Sequence, residues 1–550
     1  YQIAFTIPVY QERLSIIEAA PHSKPHFHFN NFIMGVSGDT NVVGADLASV
    51  LPTMTKPWWK TPHLLKLNLI LFGCMLFSST IGYDNSMMNG LQALAPWQEF
   101  MHHPKGAYLG LINATQAIGG FAAYPLMSIV AQRFGRKYSV YVGCCLIFLG
   151  TGLQTGARSR EMFIVSRLFV GSSSAFFGAI PMLVGETAYP THRGIVTAMF
   201  QTLYYVGSTL SAWVTFGTRN MDSSWSWRIP SLLQSAIPIL VIGITIAAPE
   251  SPRFLIARGR TEEARAILVK YHAGGDENSA LVAFEVAEIE SALRLEKEFH
   301  EQASYMDMLR TKGNRHRTFV GLTLGIFAQW NGVGIVSYYL VSVLKTVGIA
   351  STTNQTLING FLQVFNLIAA VTAAGLVDKL GRRFLFITSS VGMLTCYIII
   401  TGLAGSYAET KHAGVGIAVV PMLFVYYFFY DIAFTPLIAS YPVEIWPYQL
   451  RSRGIVLTHA ATYAALFFNL FVNPIALAAI AWKYYIVYVI ILVFICITVW
   501  FTYPETRGYS LEEIAVVFDG EDAKIVNPDK VLESVDHHMA NKKEVAEIEG

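Results

Sequence analysis

The chain has 550 residues, of which 53% are hydrophobic and only 14% charged. An average soluble domain is about 45–50% apolar and about 25% charged. Such hydrophobicity excludes disorder as the general state. A net charge of +2, from 39 basic and 37 acidic residues, leaves no basic field for a nucleic-acid partner.

A membrane-spanning helix needs about 20 mostly apolar residues. After a polar N-terminal tail, residues 1–60, six such runs follow near Leu67–Leu91, Gly106–Val130, Ser139–Thr155, Met162–Glu186, Ile195–Phe216 and Ile229–Ala248. They form an N-terminal half, 61–248. A polar linker, 249–316, comes next, with helix-like stretches Thr261–Tyr271 and Ser279–Gln302. Glu262 and Glu263 sit in the first turn of the former, where the helix dipole favours acids. Six more runs lie near Phe319–Leu344, Thr356–Val377, Phe384–Ala404, Val415–Ser440, Ile455–Leu477 and Tyr484–Phe501, giving a C-terminal half, 317–503. The tail from Pro504 to Gly550 is acidic, with 12 Asp/Glu against 5 Lys/Arg. The expected fold is an all-α membrane protein of twelve transmembrane helices in two six-helix halves, joined by a cytoplasmic helical linker.

Basic residues set the orientation, because cytoplasmic loops are enriched in Lys and Arg. Arg133, Arg136 and Lys137, then Arg193, then Lys379, Arg382 and Arg383, then Arg451 and Arg453 all fall on the side of the linker and both tails. That side is expected to be cytoplasmic, in the plasma membrane.

The two halves repeat. Gln132-Arg-Phe-Gly-Arg-Lys137 follows the second run, and Asp378-Lys-Leu-Gly-Arg-Arg383 follows the eighth. Glu186 precedes Arg193 by seven residues, as Glu444 precedes Arg451. Internal repeats of this kind mark secondary transporters, whose site lies at the midplane between halves. Gly135 and Gly381 permit the tight turns, and Asp378 stands where it can pair with an Arg or meet a helix N-terminus. Arg136, Glu186, Arg193, Asp378, Arg382, Glu444 and Arg451 are therefore expected to form cytoplasmic gates. Ion pairs present in one conformation only would bias a rocking equilibrium. The spacing pairs Glu186 with Arg193 and Glu444 with Arg451.

Asp84 lies inside the first run. An intramembrane carboxylate is costly unless paired or hydrated, and marks a functional site by default. Burial favours its neutral form and a cation its charged form, so it can take up and release a proton. Arg167, near the start of the fourth run, is the expected partner. Gln201, Gln329 and Asn366 are amides inside runs, each offering donors and an acceptor to a polyhydroxylated ligand. Tyr338, Tyr339, Trp330, Trp446 and the aromatics from Phe424 to Tyr430 supply faces for a sugar ring.

Other signals are weak. Cys74, Cys144, Cys145, Cys396 and Cys496 lie in apolar runs and read as small buried hydrophobes. No metal site, cofactor motif, nucleophile elbow or P-loop stands in a sensible context. No enzyme is expected.

Together these residues resemble the sugar porter family of the major facilitator superfamily, over roughly Leu64 to Ile514. The motifs are Gly82-Tyr-Asp84 with Gly90, Arg133-Phe-Gly-Arg-Lys137, Arg167-Leu-Phe-Val-Gly171, Glu186 through Arg193-Gly194, Pro249-Glu-Ser-Pro-Arg253, Asp378 through Arg383, Glu444 through Arg451 and Pro504-Glu-Thr-Arg-Gly508. Gln329 through Tyr339 and Phe467 through Leu477 look like members of the fungal lactose-permease and hexose-permease types. The resemblance implies a major facilitator fold with sugar bound between the halves. Gln201, Gln329 and Asn366 match family sugar ligands. Asp84 and Arg167 match the pair of proton-coupled members. Ala328, Gly334, Ala439, Thr462 and Tyr463 depart from the hexose pattern, and the small residues among them would leave room for a disaccharide. Gln132 departs from the acidic residue of the first-half loop. The expected activity is transport of a hexose or disaccharide by alternating access with a proton. A facilitative uniporter and a non-transporting sugar sensor are the alternatives. The expected partners are the sugar, a proton and the lipid bilayer.

Overall fold

The computed structural model describes residues 50–52, 57–302, 304–447, 450–507 and 511–519. Most of the N-terminal tail, Gly508 and the chain from 520 onward lie outside the described residues. Helix is the only regular structure among the described residues. In hydrocarbon every backbone N–H and C=O must be paired within the chain, and a helix does this within one segment.

Among the described residues, ten stretches are long and apolar enough to cross a membrane. They are Pro62–Ala93, Gly106–Arg133, Arg136–Thr155, Arg160–Thr187, Trp225–Ala247, Lys312–Thr346, Thr352–Ala373, Arg382–Thr410, Ala413–Ile445 and Arg451–Thr502. The last holds two helices, Arg451–Ile480 and Tyr484–Thr502, which meet at Ala481 (φ 46°). One further helix, Arg193–Thr218, has 26 residues, about 39 Å at 1.5 Å per residue. Counted in chain order, with Arg193–Thr218 the fifth, these are twelve spans.

Their packing repeats. The first span packs on the fifth as the seventh does on the eleventh, and the second on the fourth as the eighth on the tenth. Between halves, the fifth span meets the eighth and the eleventh meets the second. Pairing of equivalent elements in both halves is what an internally duplicated bundle requires. Serines tighten the first pair: Ser79 Oγ donates to the Leu203 carbonyl (2.7 Å) and Ser208 Oγ to that of Gly82 (3.1 Å). Small and hydroxylated residues let helices approach where no hydrophobic force drives them together. The outer faces carry Leu240, Ile490 and Phe501, all exposed, as suits a lipid solvent.

Between the halves in sequence lie the linker helices Pro252–Ala257, Thr261–Tyr271 and Ala280–Gln302. Phe254, Leu255, Ile256 and Ala264 make a small core of their own.

Candidate functional site

A cavity of about 340 Å³ lies between the halves. The fifth span contributes Gln201, Tyr204 and Tyr205, the seventh Gln329, Ser337 and Tyr338, the eighth Gln363 and Asn366, and the tenth Tyr427, Tyr430 and Thr435. The structure thus brings Gln201, Gln329, Asn366 and Tyr338 together. The Oδ1 atom of Asn366 is buried with no hydrogen-bond partner among the described residues. Tyr339 is absent from the lining: it is fully buried and its hydroxyl donates to the Leu470 carbonyl. Successive helical residues do not face the same way, and the helix is broken at Tyr339 (φ −135°, ψ 27°). Trp330 also turns away, donating to Ala465 (3.2 Å).

Gln363, Tyr204 and Tyr205 escaped the sequence reading, although a signal existed. Gln363 stands three residues before Asn366, and Tyr204 and Tyr205 stand three and four after Gln201, which is the spacing of one helix face. The room left by Gly334 is filled from outside its own helix. A Cβ there would lie 2.6 Å from Nδ2 of Asn469, which donates to the Gln329 carbonyl (2.5 Å).

A smaller chamber of about 110 Å³ adjoins the cavity, sharing Asn85, Tyr338 and Tyr463, and reaches Arg167. Asp84 is fully buried, and neither carboxylate oxygen has a hydrogen-bond partner among the described residues. Arg167, 2% exposed, donates instead to Gln116, which in turn donates to Asn85 (3.0 Å). Arg167 acts on Asp84 electrostatically without a direct bond. No static bridge therefore locks the pair in this conformation.

At the linker end, each half builds the same apparatus. Gly135 (φ 117°) and Gly381 (φ 88°) hold a backbone that side chains resist. Their missing Cβ also admits a carboxylate, because a Cβ at Gly381 would stand 2.7 Å from Oε2 of Glu505. Glu250 thereby accepts the backbone N–H groups of Arg136 and Lys137 (both 3.2 Å), and Glu505 those of Arg382 (2.8 Å) and Arg383 (3.0 Å). Each glutamate caps the N-terminus of the third or ninth span, where the dipole favours an anion. The arginine side chains then hold the neighbouring carboxylates. Arg136 grips Glu186 through two bonds (2.9 and 3.0 Å), and Arg382 grips Glu444 (3.2 and 3.0 Å). Ser251 and Thr506 donate to the same two carboxylates.

Arg193 reaches the linker, donating to Glu285 (3.2 Å) and to the Ala188 carbonyl (3.2 Å). Glu285 also meets Nδ1 of His272 (2.7 Å), whose Nε2 donates to the Thr187 carbonyl (3.2 Å). Arg451 donates to the Trp446 carbonyl (3.4 Å). Asp378 belongs to the helix Thr352–Leu380, but its side chain lies outside the described residues.

At the other end of the bundle the halves are tied together. Nδ2 of Asn89, on the first span, donates to the carbonyls of Ser337 and Val336, and its Oδ1 accepts from the Leu340 N–H (3.1 Å). These backbone groups flank the break at Tyr339, where the helix cannot satisfy them itself. Gln92 donates to the Tyr338 carbonyl (2.9 Å) and Thr352 to that of Ala93 (3.2 Å).

A duplicated twelve-helix bundle with an amide-lined cavity between its halves has the architecture of a major facilitator transporter. The family model described as "Sugar (and other) transporter" matches residues 70–518. The chain belongs to that family, one of transporters and not of enzymes. A high-affinity glucose transporter of Kluyveromyces lactis is 28% identical over 485 residues, covering 83% of this chain and 85% of that protein. The sugar transporter STL1 of Saccharomyces cerevisiae is 27% identical, covering 84% and 83%. Among solved structures, the inward-open conformation of the xylose transporter XylE from E. coli superposes with a TM-score of 0.68 at 24% identity. It covers 82% of this chain and 100% of that one.

Proposed function

We propose that the chain carries a hexose or disaccharide across the plasma membrane by alternating access, in symport with a proton. The observation that carries this reading is the cavity of about 340 Å³ lined by amides and tyrosines from both halves. Neutral donors and acceptors replace the hydration of a polyhydroxylated ligand without demanding charge. A site shared by two halves changes its exposure when they rock. Gln201, Gln329, Asn366 and Tyr338 bind the sugar, and Tyr339 supports the site by fixing the broken seventh helix. The family match and the glucose transporters among the relatives support the substrate class.

Asp84 takes up and releases the proton, and Arg167 promotes the release when it approaches. The supporting observations are the burial of Asp84 without a bonded partner and the Arg167–Gln116–Asn85 chain that leads to the cavity wall. Sugar binding moves Asn85 and Gln116, which changes the field of Arg167 at Asp84. One of the solved relatives of like fold is described as a proton:xylose symporter.

The charged linker end faces the cytoplasm with both termini, since its loops carry the excess of arginine. Residues 61–248 and 317–503 act as the two rocking bodies, 249–316 as the linker, and 1–60 and 504–550 as tails. The gates are Arg136 with Glu186 and Arg382 with Glu444, steadied by Arg193, Asp378 and Arg451.

The test is uptake of labelled mono- and disaccharides in a transport-null host with a pH electrode present. Proton influx on sugar addition is expected, lost in Asp84→Asn while sugar exchange survives. Sugar uptake without proton movement would make the protein a uniporter. No uptake of any sugar would overturn the whole reading.

A further inference from the structure

The tenth span carries a second intramembrane carboxylate that the transport scheme above does not use. Asp431 ends the helix Ala413–Asp431, and a second helix, Phe434–Ile445, begins after a break at Ala433 (φ −128°, ψ −60°). The side chain is fully buried. Its Oδ1 accepts two hydroxyls: Tyr205 from the opposite half at 2.5 Å and Thr435 at 2.8 Å. Its Oδ2 is buried with no hydrogen-bond partner among the described residues.

The groups facing Asp431 are all uncharged. They are Tyr204 and Tyr205 from the fifth span, Tyr427 and Tyr430 from its own helix, and Thr435 from the helix beyond the break. Among the described residues no lysine, arginine or histidine acts on it. Asp84 differs in this respect, because it faces Arg167. An ionised carboxylate taken out of water without a cation costs far more than the neutral acid, and such groups take a proton instead. Two donors on one oxygen can be accepted by a carboxylate or by the carbonyl oxygen of a carboxylic acid, and in the neutral acid that carbonyl oxygen is Oδ1. The other oxygen is then the one that carries the hydrogen.

Its neighbours Tyr205, Thr435, Tyr427 and Tyr430 line the cavity, so Asp431 lies one layer behind the wall. A sugar hydroxyl that competes for Tyr205 removes one of its two donors. A rocking motion that parts the fifth and tenth spans removes the same donor and admits water. We propose that Asp431 is a second proton-binding carboxylate of the transport cavity, tied to the opposite half through Tyr205. A proton from water binds Oδ2 to give the neutral acid, and returns to water when the wall opens. No other bond is made or broken.

This rests on the reading of the cavity as a sugar site, so the first measurement leaves sugar out. Infrared difference spectra of the purified full chain are recorded between acid and neutral pH. A carboxylic-acid C=O band is expected, lost in Asp431→Asn and kept in Asp84→Asn. Tyr205→Phe keeps the band but shifts it, since Oδ1 loses a donor, and this variant decides the matter if Asp431→Asn does not fold. A band unmoved by both substitutions overturns the proposal. In proteoliposomes given D-glucose, Asp431→Asn is expected to lower the ratio of protons to sugar taken up. An unchanged ratio overturns the link to transport. No glucose uptake by the wild type counts against the sugar-site reading, and leaves the sugar-free spectrum to decide Asp431.

Discussion

Replacing Glu444 by Gln keeps the shape of the second-half gate and removes its charge. Glu444 and Arg382 are partly buried, with side chains 23% and 15% exposed and a closest contact of 3.0 Å. Unit charges about 4 Å apart attract by about 4 kcal/mol at an effective dielectric of about 20. Exposed pairs retain about 0–1 kcal/mol of this, and breaking a fully buried pair costs about 3–5 kcal/mol. The geometry here lies between these limits, so the ion pair is expected to contribute about 1–3 kcal/mol to the state that contains it. That corresponds to about a 5- to 150-fold change in a two-state equilibrium. The amide can still accept from Arg382 and meet Thr506, so the change isolates charge from shape. Spin labels at the linker ends of the second and eighth spans report the ratio of open to closed forms. A double-mutant cycle with Arg382→Gln then gives the coupling. Additivity within about 0.5 kcal/mol, or an unmoved distance distribution, would show that this pair does not bias the conformational equilibrium. Glu186→Gln in the first half should give the same sign, because Arg136 holds it in the same way.

Asn89→Ala removes the clamp on the broken seventh helix and leaves the backbone groups around Tyr339 unsatisfied, at a cost of about 1–3 kcal/mol. It should favour opening at the end opposite the linker, read as faster labelling of a cysteine introduced into the cavity from that side. Gln201→Ala or Asn366→Ala should weaken sugar affinity about 10-fold or more, since each removes about 1.5 kcal/mol or more of polar recognition, while surface expression is unchanged. A pH effect is expected where the linker docks. Burial, and secondarily the nearby His272, hold His192 below its ordinary imidazole value. The folded state thus takes up a proton less readily than the unfolded chain. Its contribution to stability is full above the unfolded value of about 6.5, and is lost as pH falls from there through the lower folded value. Thermal stability should decline across that window in the wild type and less steeply in His192→Gln.

The twelve apolar runs were legible because hydrocarbon imposes length and composition on a helix. The duplicated loops were legible because glycine and charge occur there for backbone and boundary reasons. Thr261–Tyr271 is helical over the range that its pattern marks. Partner choice was less legible. The spacing of seven residues puts Glu186 near Arg193 in sequence, yet Glu186 is held by Arg136 and Arg193 reaches Glu285 in the linker. Facing across a turn is decided by where the third span starts, and the sequence does not state that. Tyr339 fell outside the cavity because its helix breaks there, and a break that is satisfied by another helix leaves little local trace. Asp431 sits at the end of an aromatic stretch, Phe424 to Tyr430, where an apolar count averages it away.

The cavity lining carries no charged side chain. Every polar contact there is a neutral amide or hydroxyl, so the wall works as a fixed solvation shell. A sugar that enters exchanges mobile water for groups whose positions were set during folding. Discrimination then depends on vacated bonds more than on size. An analogue lacking one hydroxyl strands a buried amide, whereas an extra methyl group only has to find space, and sites of this kind punish the first change far more than the second. The transporter should therefore read its cargo by the pattern of hydroxyls, and deoxy sugars should expose that pattern one position at a time.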